Sequence, residues 1–345
     1  MRIYDLIKQA RFRSVSVVGL AKNAGKTVTL NSIIKQSAGD AVLLGLSSIG
    51  YDGEKLDVLS RLAKPRIAVR EGTLLATAAD TILRATAGLE ILAATDFITA
   101  LGEVLLVRAR EAGYVEVAGP DSLAEMRQCI EIMHNRGCEL VLVDGALDRI
   151  GSAAPTITEA TIVATGAVAG GSLRKILTRT LHVVALFSLP IATEKSDLSR
   201  RQNLVHITAD GVSDLPFKSA LGHGAAVVEH ASSATPYKLF VPGALTDSLV
   251  SELTHKPKIC KNTTLISPDP THIFCSPEVW QKFLSLGGRA EVLQNVKVLA
   301  VTVNPTSPVG RSYAPKEFAA HLAEALAPLP VYDLFLDEDG PIGYQ

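Results

Sequence analysis

The stretch from Ser14 to Asn31, SVSVVGLAKNAGKTVTLN, leaves few folds open to this chain. Val15, Val17 and Val18 give a short β-branched run of buried-strand character, Gly19 to Gly25 a glycine-bounded turn, and Lys26-Thr27 opens a segment of helical character. A strand that passes through such a turn straight into a helix gathers backbone N–H groups and the positive helix end at one spot, which suits an anion. N–H groups around Ala24 to Thr27 are expected to wrap a β-phosphate, with Lys26 reaching the β- and γ-phosphates and the Thr27 hydroxyl ligating Mg²⁺. The expected nucleotide-contacting set is Lys22, Asn23, Ala24, Gly25, Lys26, Thr27 and Val28, in which Lys22 either adds a second charge toward the γ-phosphate or points to solvent. Five residues, not four, separate Gly19 from Gly25, so Leu20 stands where the usual motif has its first glycine, and this narrows the type of loop.

The rest of the chain must supply a sheet around that strand. At 345 residues and 47% apolar it can bury a large core, and the length suits two domains or one enlarged α/β domain. Lys and Arg number 34 against 35 Asp and Glu, so there is no global basic field to attract nucleic acid or acidic membrane. Asp96 and Glu103 break the longest apolar candidate, Ile91 to Val107, and no membrane span is expected. Met1 to Arg11 is too polar for a secretory segment and reads as a short amphipathic helix. Cys129, Cys138, Cys260 and Cys275 form no C-x-x-C pair and are expected to be reduced, buried thiols of a cytoplasmic protein. The eight histidines are scattered, and the spacing of His223 and His230 matches no zinc site.

After the turn, the patterning predicts a helix to Lys35, a strand over Ala41 to Leu46 and a polar, glycine-bracketed loop from Ser47 to Glu54. Short strands are expected at Arg66 to Arg70, Leu89 to Ala94 and Tyr114 to Ala118. Ser122-Leu123-Ala124-Glu125 has capping-box form and starts a helix that Gly137 ends. Further strands are expected at Ala160 to Thr165 and Val183 to Ser188, with a helix from Ser172 to Thr180 between them. Ile191 to Thr235 shows no strong periodicity and reads as an insertion or lid; α/β alternation then resumes, through a strong strand at Val296 to Val303, a helix at Pro315 to Ala327 and a last strand at Val331 to Asp333. The alternation argues for a mostly parallel sheet with helices on both faces. The expected organisation is a nucleotide-binding core over 1–190, an inserted region over 191–290 and a C-terminal return to the core over 291–345.

In open α/β sheets ligands sit at the carboxyl ends of the strands. Leu140 to Val143 is an apolar run ending in Asp144-Gly145, a Walker-B-like element whose acid would stand beside the Mg²⁺ held by Thr27, although Asp-Gly is also a turn signal. Thr27, Asp52 and Asp144 make a reasonable Mg²⁺ shell, with Glu54 as the alternative to Asp52. Lys26, Asp52 and Asp144 are the expected catalytic groups. Asn304 follows a strong strand, and its amide could match the N7 and N6-H₂ edge of adenine. Arg149 is a candidate transition-state cation.

The loop spacing from Gly19 to Thr27, with Asp52 and Val143-Asp144-Gly145-Ala146, resembles the dethiobiotin synthetase branch of P-loop proteins. That resemblance implies Mg²⁺ ligation by Thr27, Asp52 and Asp144 and base recognition near Asn304. Leu46-Ser47-Ser48 fills the place of the synthetase's Lys-Pro, which argues against dethiobiotin synthesis. A closer resemblance covers most of the chain. Gly19 to Thr27, Ile49 to Glu54, Lys64-Pro65-Arg66, Val143 to Arg149 and Val301 to Pro305 look like the ATPase subunit (KamB type) of the lysine 5,6-aminomutase reactivating factor. It implies an α/β P-loop NTPase that binds ATP and Mg²⁺ and acts on an adenosylcobalamin-dependent aminomutase, promoting exchange of damaged cobalamin with a second reactivase subunit as partner; it also admits a homodimer. Two alternatives stand beside it, an ATP-dependent ligase or kinase acting on a small molecule and a nucleotide-binding module without turnover.

Overall fold

Strands and helices alternate in a computed structural model that describes residues 1–49, 66–146, 154–231, 235–308 and 310–334. In chain order they begin with α1 (Ile3–Gln9), β1 (Ser14–Gly19), α2 (Lys26–Gln36), β2 (Leu44–Ser48), β3 (Ile67–Val69), β4 (Leu74–Ala78), α3 (Ala79–Ile82), β5 (Leu89–Thr99), β6 (Gly102–Ala109) and β7 (Gly113–Val115). There follow α4 (Leu123–Asn135), β8 (Leu140–Ala146), α5 (Ala154–Ile157), β9 (Ala160–Gly166), α6 (Leu173–Phe187), α7 (Lys195–Leu198), β10 (Val205–Thr208), β11 (Gly211–Asp214), α8 (Gly224–Ala231), β12 (Tyr237–Phe240) and β13 (Leu245–Thr246). The chain closes with α9 (Asp247–Thr254), α10 (Pro257–Asn262), β14 (Thr263–Ser267), β15 (Ile273–Phe274), α11 (Pro277–Ser285), β16 (Arg289–Val292), β17 (Val298–Asn304), α12 (Pro315–Leu326) and β18 (Val331–Asp333). Asp52, Glu54, Lys64-Pro65 and Arg149 lie outside the described residues.

Two compact units emerge, one formed by 1–181 with 297–345 and the other by 182–296. The division falls inside α6, so the expected inserted region of 191–290 is too short at both ends. Leu186 and Leu189 on one side and Val292 on the other belong to the apolar cluster of the second unit.

The first unit is built on a nine-stranded sheet in the order β18-β17-β9-β1-β8-β2-β4-β6-β5. Neighbours from β18 to β4 run parallel, and the β6–β5 hairpin closes the edge antiparallel. The class is therefore α/β with a mixed, mostly parallel sheet. Residues alternate between two cores as a strand's period of two requires. On β8, Leu140 and Leu142 join Ile3 and Ile7 of α1 and Leu30 and Ile33 of α2, while Val141 and Val143 join Met126, Cys129, Ile130 and Met133 of α4. Both faces of the sheet centre are thus covered, which is what lets β1 be buried along its whole length. Its polar residue Ser16 is bonded within the sheet, at 2.7 Å from the Thr161 hydroxyl.

Local signals act where the sequence places them. Ser122 caps α4 by accepting from the Glu125 N–H at 3.2 Å. Gly137, at φ 94°, lets the chain turn out of that helix, with Cys138 N–H donating to the Met133 carbonyl at 3.0 Å. Other expectations need correction. Val183 to Ser188 is not a strand: 183–187 forms the end of α6, because a short apolar run fits helix or strand and here the periodicity of Leu173 to Phe187 prevails. The edge hairpin is longer than the expected strand at Leu89 to Ala94, and β4 went unread. Ile191 to Thr235 carries α7, β10, β11 and α8, of which β10 and β11 are antiparallel members of the second unit's five-stranded sheet, ordered β11-β10-β12-β14-β16. Among the described residues no helix is long and apolar enough to cross a membrane.

All four cysteines are free and buried. Burial pushes the Cys129 and Cys138 thiols up to about 12 and raises those of Cys260 and Cys275. The thiolate is the reactive form. Iodoacetamide at pH 8 is expected to leave all four unlabelled in the folded protein and to label all four in guanidinium, as read by intact mass; rapid native labelling of Cys129 or Cys138 would contradict this packing.

Candidate functional site

β1 pairs on both sides with parallel strands, β8 and β9, so the chain can leave it only past the carboxyl edge of the sheet. Gly19 is the last strand residue, opposite Ala146 and Ala164, and the Leu20 N–H continues the pairing to the Ala164 carbonyl at 2.9 Å. Leu20 is fully buried. That is why a leucine stands where a glycine was the expected first member of the motif: the residue is an anchor in the core. Ala24 N–H then closes a turn on the Ala21 carbonyl at 3.2 Å, and Asn23 and Gly25 take left-handed backbones at φ 64° and 107°. Asn and Gly are the residues that accept that region most readily.

α2 starts directly from this turn. Its first i to i−4 bond runs from Thr29 N–H to the Gly25 carbonyl at 3.0 Å, so the N–H groups of Lys26, Thr27 and Val28 lie at the open, positive end of an eleven-residue helix. Lys26 folds back across Gly19. A Cβ on Gly19 would come within 2.9 Å of Lys26 Cγ, so the absence of a side chain there is what gives the lysine its path. The ammonium ends 3.9 Å from Asp144 Oδ1, with both side chains about a quarter exposed.

Asp144 lies on β8 between Val17 of β1 and Ser48 of β2 in register. The sheet thus brings Lys26 and Asp144 together and sets Thr27, at the start of α2, on the same carboxyl edge. Lys22 and Asn23 are exposed, Ala24 is buried, and Val28 is half-buried. Among the described residues no group of three His, Cys, Asp or Glu side chains is placed to hold a metal. The described members of the expected shell, the Thr27 hydroxyl and the Asp144 carboxylate, are hard oxygen donors, which fits Mg²⁺ with several retained waters.

Ser47 and Ser48 are not part of a loop. They end β2 and are held there, Ser47 Oγ donating to the Ala76 carbonyl at 2.9 Å and Ser48 Oγ donating to the Val117 carbonyl at 3.0 Å while accepting from Gly119 N–H at 3.0 Å. Gly119 passes so close that a Cβ would stand 2.1 Å from the Ser48 carbonyl oxygen. The sequence reading missed this seam, whose signal was the Gly-Pro-Asp-Ser run before α4.

Asn304, the expected base reader, ends β17 opposite Gly166 of β9 and is 8% exposed. Its Nδ2 donates to the Asn23 carbonyl at 3.1 Å, and its Oδ1 accepts from the Thr306 N–H at 3.0 Å and the Thr306 hydroxyl at 2.7 Å. One strand further out, Asp333 ends β18 beside Val303 and is buried. Val331-Tyr332-Asp333 repeats the apolar-run-then-acid pattern of Val143-Asp144, a signal that could have marked it. No protein-family model, curated protein or solved structure matches the chain significantly.

Gly25→Ala places a side chain at φ 107°. It is expected to lower folding stability by about 1–2 kcal/mol in guanidinium unfolding, whereas unchanged stability would contradict a left-handed backbone at that residue.

Proposed function

We propose that this chain is a P-loop NTPase, a Mg·ATP-binding ATPase. The observation that carries the proposal is the path of Lys26, which leaves the open end of α2, crosses the side-chain-free Gly19 and ends 3.9 Å from Asp144. A lysine so placed can leave one carboxylate for the β- and γ-phosphate oxygens without moving its helix. The N–H groups of Lys26, Thr27 and Val28 then donate to the β-phosphate, where their partial charge adds to that of the helix end. Mg²⁺, when bound by Thr27 and Asp144, supplies charge neutralisation on the phosphates. Water attacks the γ-phosphorus, the bond to the β–γ bridging oxygen breaks, and ADP and phosphate leave; the protein's part is to orient the phosphates and balance the charge that develops.

We further propose that the turnover serves a partner. The chain would be the ATPase subunit of a reactivating factor for an adenosylcobalamin-dependent lysine 5,6-aminomutase, acting with a second reactivase subunit to exchange damaged cobalamin. Support comes from the resemblance of the Gly19 to Thr27, Val143 to Arg149 and Val301 to Pro305 motifs. The four free, buried thiols fit a reducing, cytoplasmic setting. Ser47 and Ser48, tied into β2 where the dethiobiotin synthetases carry Lys-Pro, weigh against carboxylate ligation.

Mg²⁺-dependent ATP hydrolysis by wild type and Lys26→Ala, alone and with the second subunit and an inactivated aminomutase, tests both levels. Lys26→Ala is expected to lower turnover by roughly 100-fold, with recovery of mutase activity falling alongside. Equal turnover in the two proteins overturns the ATPase assignment; turnover that never restores the mutase overturns the partner alone and directs attention to carboxylate and amine substrates.

A further inference from the structure

We propose that Asn304 is a positioning residue that fastens the phosphate-binding turn in its working shape, and that it takes no part in recognising the base. The inference rests on the P-loop reading of the Gly19 to Thr27 turn and assigns a role inside that same site.

An asparagine amide has two N–H donors and an oxygen with two lone pairs. Both lone pairs of Asn304 Oδ1 are taken by Thr306, at 3.0 Å from its N–H and 2.7 Å from its hydroxyl. Reading the adenine N7 and N6-H₂ edge requires a donor and an acceptor side by side, and here the acceptor is saturated. One donor is also committed, to the Asn23 carbonyl at 3.1 Å. What remains is a single N–H on a residue that is 8% exposed.

The bond to Asn23 falls on a sensitive point. The Asn23 carbonyl and the Ala24 N–H belong to one rigid peptide plane. Asn304 holds its oxygen side, and the Ala21 carbonyl holds its N–H side at 3.2 Å. With both ends fixed, the plane sets the direction in which the chain enters Gly25, and hence where the N–H groups of Lys26, Thr27 and Val28 aim. Asn23 adopts its left-handed backbone at φ 64° readily but has extended and helical alternatives, and the clamp selects the one the turn needs. One glycine makes the reach possible, and a second shows how near the turn the asparagine lies. A Cβ on Gly166 would sit 2.4 Å from the Asn304 carbonyl oxygen, so only glycine lets the end of β17 lie so close to the end of β9. A Cβ on Gly25 would touch Asn304 Cβ at 3.6 Å, which places the asparagine against the turn itself.

Equilibrium binding of Mg·ATP, Mg·GTP and Mg·tripolyphosphate to wild type, Asn304→Ala, Asn304→Ser and Lys26→Ala decides the matter. Asn304→Ser keeps a hydroxyl that can accept from the Thr306 N–H but is too short to reach the Asn23 carbonyl, so it removes the clamp with the local turn retained. Both Asn304 variants are expected to bind all three ligands about tenfold more weakly, by the same factor for each, with the ligand-free unfolding midpoint of Asn304→Ser close to wild type. A loss confined to ATP, with GTP and tripolyphosphate unaffected, means that Asn304 reads the base and overturns the proposal; so does the absence of any loss. If Asn304→Ala does not fold, the binding profile of Asn304→Ser decides between these outcomes. Tripolyphosphate binding that is equal in wild type and Lys26→Ala identifies the failure of the P-loop reading, and the role of Asn304 falls with it.

Discussion

Every feature of the candidate site depends on β1 being hydrogen-bonded on both sides by parallel strands and buried on both faces. A central parallel strand cannot return by a hairpin, so its chain must rise over the carboxyl edge and come back as a helix on one face. The tight turn that does this leaves three N–H groups of α2 without helical partners. Parallel neighbours bring Asp144 of β8 and Asn304 of β17 to that same edge. The anion-ready geometry is thus a by-product of sheet topology, sharpened by side chains at strand ends.

Three close approaches turn that geometry into a defined shape, and each needs a missing side chain. Gly19 lets Lys26 cross toward Asp144, Gly166 lets Asn304 reach the turn, and Gly119 lets a neighbouring segment lock Ser47 and Ser48 at the end of β2. Leu20 acts in the opposite way, as a fully buried side chain that anchors the start of the turn in the core. One buried anchor and three empty Cβ positions together restrict the backbone there.

Much of this was legible in the sequence, because the signals are local. Gly25-Lys26-Thr27 marks the start of α2, Leu140 to Asp144 marks a central strand with an acid at its edge, and Ser122 and Gly137 bound α4. The misread parts are those where local pattern is ambiguous or irrelevant. Val183 to Phe187 is a short apolar run that suits helix and strand equally. β5 and β6 form an edge hairpin with Ile91 and Ile98 largely exposed, so no clean alternation announces their inner face. The hydrogen bond between Asn304 and Asn23 joins residues 281 positions apart, and no window of sequence contains it. A strand-end asparagine reads as a base contact, and its bonds to Asn23 and Thr306 become visible only in the folded chain.

Amide hydrogen exchange across Gly25 to Val28, with and without Mg·ATP, tests the central claim most directly, because it observes the backbone groups assigned to the phosphates. Slowed exchange at these amides on adding Mg·ATP, and none on adding adenosine, is the predicted result. Saturating Mg·ATP that leaves the exchange of Gly25 to Val28 unchanged would contradict the account.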